Sequence, residues 1–163
     1  ISVNFSRLHL STDVLPVVIK ATLERYNIPP HMIEIEITES ALAATEDYQL
    51  SILNELRALG CVLAMDDFGS GMSSLNALRS LPFDVLKIDR DFLQSESNSE
   101  RERIVLSNVV RMAFALNMRV ICEGVETVEQ EAFLRQIGCN YVQGFLYARP
   151  LPEEQFSADY LDK

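Results

Sequence analysis

The chain has few of the residues that would mark it as a secreted, membrane or nucleic-acid-binding protein. Of its 163 residues only three are cysteines, Cys61, Cys122 and Cys139. They form no Cys-x-x-Cys pair, and two fall in or beside strand-like runs, so buried reduced thiols are expected rather than a disulfide framework or a thiolate metal site. Only two histidines occur, His9 and His31. Both are expected on the surface, far from any strand tip. No apolar run reaches the ~18 residues of a membrane span, and no signal-peptide pattern opens the chain, so a cytoplasmic protein is expected, tethered to a membrane only through segments outside this sequence. Basic residues are outnumbered, 14 Lys and Arg against 24 Asp and Glu, for a net charge of −10. A basic surface for DNA or anionic lipid is thereby excluded. Linkers and low-complexity stretches are missing too. With 48% hydrophobic residues, one globular domain over residues 1–163 is expected.

What is present is a repeated pattern. Six short apolar runs end in polar residues: Val3-Asn4, Ile33 to Glu36, Val62 to Asp67, Val85 to Lys87, Val120 to Glu123 and Tyr141 to Gln143. Strands are expected at about 1–5, 32–38, 61–66, 83–88, 119–123 and 140–146. Helical segments separate them. The first starts at Asp13 and stops before Pro29-Pro30, and the second carries Leu50, Leu53, Leu56 and Leu59 with Gly60 as its cap. The tail from Pro150 is expected to form a short helix, and 94–103 a mobile loop. Strands alternating with helices imply a parallel sheet with right-handed crossovers, an α/β fold. An open doubly wound sheet fits the length, but it offers a single crevice for many charged tips. A (β/α)8 TIM-like barrel gathers all strand tips at one mouth. Only about six βα units are present, so a barrel lacking its first two strands is expected.

Those tips carry the chemistry. Four carboxylates and one ammonium at one mouth leave three net negative charges, which cannot all persist unaided in a partly dry space. A bound divalent cation is the simplest remedy. Asp66-Asp67-Phe68-Gly69-Ser70-Gly71 places paired acids at a strand end before a tight turn, which suits a metal-bound phosphate; an ordinary turn with solvated acids is the alternative. Glu36 and Glu39 bracket the end of the second strand, inward-facing or, alternatively, on an exposed edge. Lys87 interrupts an apolar strand and needs an anionic partner, whether substrate phosphate or a structural salt bridge to Asp89 or Glu123. Glu126 could cap the helix that follows it. All-oxygen donors without His or Cys favour hard cations.

Taken in order, the set resembles the EAL-domain family of bacterial cyclic di-GMP phosphodiesterases. The matching segments are Ser2-Val3-Asn4-Phe5-Ser6, Glu36-Ile37-Thr38-Glu39-Ser40, Asp66 to Leu75, Leu86-Lys87-Ile88-Asp89, Glu123-Gly124-Val125-Glu126-Thr127, and Gln143-Gly144-Phe145 with Arg149-Pro150. The resemblance implies a barrel that binds two Mg²⁺ or Mn²⁺ ions and hydrolyses cyclic di-GMP to linear pGpG. It implies metal ligation by Asn4, Glu36, Asp66, Asp67 and Glu123, and catalytic roles for Lys87 and Glu123. It implies substrate or loop roles for Glu39, Gly69, Ser70, Gly71, Ser73, Glu126, Gln143 and Pro150, with Glu39 holding the loop after Asp67. A homodimer and an upstream sensor or cyclase domain are implied as partners.

The sequence departs from the family pattern at Ser70 (usually Thr), Met72 (usually Tyr), Cys122 (usually Ala) and Phe145 (usually Tyr). The name-giving Glu-Ala-Leu and its nearby Arg are not in this sequence. Residues 1–163 by themselves are therefore expected to hydrolyse poorly, and a catalytically inactive cyclic di-GMP receptor or an interaction module is the alternative function.

Overall fold

The computed structural model describes residues 1–42, 47–69, 75–93 and 100–161. Six parallel strands form one sheet in sequential order: β1 (Ser2–Phe5), β2 (Glu34–Thr38), β3 (Val62–Phe68), β4 (Val85–Ile88), β5 (Arg119–Cys122) and β6 (Tyr141–Val142). Between them lie α1 (Val14–Tyr26), α2 (Glu39–Leu42), α3 (Asp47–Ala58), α4 (Leu75–Ser80), α5 (Glu100–Ala115) and α6 (Val128–Gln136). A last short helix, α7 (Glu153–Phe156), lies in the tail. This is the expected α/β succession, six βα units of a (β/α)8 wall.

The alternation of side chains explains both faces. Ile35, Ile37, Leu63, Met65, Leu86 and Ile88 point to the convex side and are fully buried. They pack in one core with Ile52, Leu53 and Leu56 of α3, Leu106 and Val110 of α5, and Leu134 of α6. The concave face carries Glu34, Glu36, Ala64, Asp66, Val85, Lys87, Arg119 and Ile121.

The sheet is strongly curved. Neighbouring strands are about 4.8 Å apart, so in a flat sheet β2 and β5 would stand three such steps from each other. Yet Arg119 of β5 reaches Glu34 of β2 at 2.7 Å, and Ser2 of β1 donates to the other Glu34 oxygen at 3.2 Å. These groups lie at the N-terminal end of the wall and pin its base.

Several boundaries differ from the sequence expectation. Of the stretch expected as a mobile loop, residues 100–103 are the first turn of α5 and 94–99 lie outside the described residues. β3 continues to Phe68 instead of ending at residue 66, because it contains a bulge described below. β6 has two residues, not the seven expected over 140–146. After Val142 the chain turns against the segment that follows β5. The Val125 N–H donates to the Gln143 carbonyl at 3.1 Å, and the Leu146 N–H to the Val125 carbonyl at 3.0 Å. All three cysteines are buried and unpaired.

Candidate active site at the strand tips

The site is built on four adjacent strands. Lys87, 6% exposed, projects from β4 into the concavity. Its Nζ lies 2.8 Å from Glu36 Oε1 of β2, 2.9 Å from Asp66 Oδ1 of β3 and 2.8 Å from Glu123 Oε1 just beyond β5. Asp89, offered by the sequence as a structural partner for this lysine, instead accepts the Asp91 N–H at 2.8 Å and starts a short turn. Glu123, the other partner offered by the sequence, does pair with the lysine, and Glu36, two strands away, joins it from across the concave face.

The paired acids owe their placement to a bulge. Met65 pairs with Leu86 and Phe68 with Ile88, so Asp66 and Asp67 together face the single residue Lys87. Strict alternation would send Asp67 into the apolar layer and Phe68 into the mouth. The extra residue restores Phe68 to the core, 2% exposed, and keeps both acids at the tip. Asp67 takes φ 55° to do this, a conformation that Asp tolerates better than most residues.

The remaining expected site residues divide into two groups. Asn4 stands in register beside Glu36. Gln143 is tied through its backbone to Cys122 and Val125, next to Glu123. Glu39 is buried at the start of α2, and one of its carboxylate oxygens accepts the Gly69 N–H at 3.3 Å. A Cβ at Gly69 would sit 1.8 Å from the Phe92 ring, with φ at +99°. Glycine is therefore required where the β3 and β4 tips meet. Glu126 and Pro150 are exposed. Glu126 does not cap α6: Thr127 does, in a reciprocal box with Gln130. Ser70, Gly71 and Ser73 lie outside the described residues.

His9 is exposed, as expected, but it is not far from the strand tips: it packs against the end of β1, edge-on to Phe5 at 5.3 Å, and its Nδ1 accepts the Ser6 N–H at 3.0 Å. The signal was its spacing, five residues after Asn4 in a turn too short to carry it away.

The electrostatics follow from crowding. Burial alone would lower the Lys87 pKa, but the close carboxylates of Glu123, Glu36 and Asp66 outweigh it and hold the ammonium above its ordinary range. Burial raises the Glu123 carboxyl, and the Lys87 contact only partly offsets that. Asp67 is also raised, by burial first and then by Asp66 and Asp89.

A raised carboxyl binds its proton more readily in the folded chain than in the unfolded one. Its effect on metal-free stability is therefore a gain as pH falls through the folded value, complete below the unfolded value. Stability of the full-length protein relative to Glu123→Gln should shift in favour of the wild type between pH 7 and pH 5 in chelator. Urea titrations at both values test this; a shift the other way contradicts the assignment.

The donor set suits a divalent cation. Carboxylates from three strands converge within contact distance of one cationic atom. Asp66 Oδ1 is buried and accepts no hydrogen bond although it lies at ion-pair distance from Nζ. Its contact with the ammonium is close but poorly directed, and such an oxygen has acceptor capacity to spare. Among the described residues no three acidic, histidine or cysteine side chains form a ready ligand set; the ammonium holds the point on which the acids converge.

The family model described as EAL domain matches residues 1–150. The chain is 44% identical over 138 residues to the cyclic di-GMP phosphodiesterase RocR of Pseudomonas aeruginosa, covering 85% of this chain and 35% of RocR. Among solved structures, the PaMucR phosphodiesterase in complex with c-di-GMP superposes with a TM-score of 0.87 at 39% identity, over 95% of this chain and 63% of that one. The manganese/cy-diGMP complex of Klebsiella pneumoniae BlrP1 gives 0.85 at 31%, over 91% of this chain and 38% of that one. The chain thus spans about a third of the length of RocR. With a family match along nearly its whole length, and the fold of solved members at these identities, the chain belongs to the EAL domain family.

Proposed function

We propose that the protein carrying this chain is a metal-dependent phosphodiesterase that hydrolyses cyclic di-GMP to linear pGpG in the cytoplasm. The observation that carries this reading is the convergence of Glu36, Asp66 and Glu123 on Lys87 at the C-terminal ends of parallel strands, where barrels of this type hold their active sites. Asn4, Glu36, Asp66, Asp67 and Glu123 would hold two divalent cations, Mg²⁺ or Mn²⁺. When bound, such a pair activates a water and stabilises the charge of an in-line displacement at phosphorus.

The chain's own residues do the rest. Glu123, part-exposed at the rim and with its pKa raised by burial, accepts the proton of the attacking water at a carboxylate oxygen. Lys87 steadies the developing anionic charge on the phosphate oxygens. Glu39 fixes Gly69 and with it the end of β3. Gln143 and Pro150 would contribute substrate contacts. Hydrolysis breaks one P–O3′ bond, adds hydroxide to phosphorus and delivers a proton to the leaving 3′ oxygen. A homodimer and an upstream sensor or cyclase domain complete the proposed setting.

The test is cyclic di-GMP turnover by the full-length protein with Mn²⁺ or Mg²⁺, resolved by chromatography of the linear product. Absence of turnover overturns the reading. Residues 1–163 alone should fare poorly. β1 and β6 end the sheet with open edges, Val3 and Tyr141 on them are 40% and 58% exposed, and exposed edges invite association. Light scattering and a turnover assay on this piece should show oligomers of low activity. A monodisperse, fully active monomer would contradict that.

A further inference from the structure

The ammonium of Lys87 occupies the place where a cation is needed. It touches one oxygen each of Glu36, Asp66 and Glu123. Three buried or half-buried acids from three strands would repel one another and open the mouth without a positive charge among them. A divalent ion needs the same oxygens. Two cations sharing these carboxylate oxygens lie close enough to repel strongly in a low-dielectric site.

We infer that Lys87 is an internal stand-in cation: it holds the metal-free site together, and it must leave Glu36 and Asp66 before a divalent ion binds there. The lysine thereby makes the site stable when empty of metal and lowers its affinity for metal. This inference rests on the reading of Glu36 and Asp66 as metal ligands.

The test uses the full-length protein without nucleotide. Mn²⁺ affinity is measured by calorimetry, and thermal unfolding is followed in chelator and in Mn²⁺, for the wild type, Lys87→Met and the remote surface control Lys20→Met. Lys87→Met removes the charge and keeps the apolar stem. It should bind Mn²⁺ on the order of tenfold tighter or more, unfold at lower temperature in chelator, and gain more from Mn²⁺ than the wild type does. Lys20→Met should match the wild type. A Lys87→Met protein that folds only when Mn²⁺ is present supports the same conclusion. Unchanged or weaker Mn²⁺ binding by Lys87→Met overturns it, as does failure to fold even with Mn²⁺, or no Mn²⁺ binding by any of the three. Because no turnover is measured, an inactive phosphodiesterase that meets these expectations leaves the stand-in role intact. A fully active one whose Lys87→Met variant binds Mn²⁺ unchanged removes it.

Discussion

Asp66→Asn in the full-length protein is expected to lower cyclic di-GMP hydrolysis by at least about a hundredfold, the scale seen when one aligned electrostatic contributor is lost. Asp66 lies at the bulge of β3, 2.9 Å from the Lys87 ammonium. Its Oδ1 is buried and accepts no hydrogen bond. An amide of the same shape keeps the packing but loses the charge that a divalent ion would require. Folding should survive, because removing one acid from a mouth that also holds Glu36, Glu123 and Asp67 relieves repulsion. Circular dichroism and the thermal midpoint without metal should therefore stay within a few degrees of the wild type. Retention of a tenth of the wild-type rate would contradict the role given to Asp66.

Gly144→Ala should have the largest effect on stability. A Cβ there would lie 2.1 Å from the Val125 carbonyl oxygen and 2.3 Å from its nitrogen. Both are backbone atoms, so no side chain can swing aside. The cost of such overpacking is about 3 kcal/mol. It falls on the junction that ends β6 and supports Glu123, so activity should fall with stability. A urea midpoint shift in the full-length protein measures the first effect. Faster hydrogen exchange at the Leu146 amide, which donates to Val125, locates it. A variant with unchanged midpoint and exchange would mean that the two loops are not in contact.

Much of this architecture could be read from the sequence because it is local. Apolar runs with polar ends mark the strands, and Asn27 does what its position before Pro29 suggests, ending α1 with φ 52°. The tip residues Glu36, Asp66, Lys87 and Glu123 stood out because charges are rare at the ends of buried strands. What could not be read depends on long-range geometry. Periodicity of two cannot register an added residue, so the bulge at Asp66 and Asp67 was invisible. The sequence offers Asp89 or Glu123 as structural partners of Lys87 and not Glu36, which only the arrangement of strands brings across from β2. The end of β6 is set by Val125, a neighbour in space from another loop. The choice of Thr127 over Glu126 as a cap depends on φ and ψ that neither residue type dictates.

The bulge also makes β3 a counting device. Each residue before it is assigned to wall or cavity by parity, and Asp67 is the one position that resets the count. A point substitution at this position leaves the parity of Phe68 alone. A single-residue deletion between Met65 and Phe68 would leave it alone too: it removes the bulge, restores equal spacing against Leu86 and Ile88, keeps the phenyl ring in the core and takes one acid from the mouth. A deletion earlier in β3 would instead reverse the faces of the residues before it. Deletion scanning along β3 should therefore find one place where losing a residue spares the fold and costs the site, which no scan of substitutions can detect.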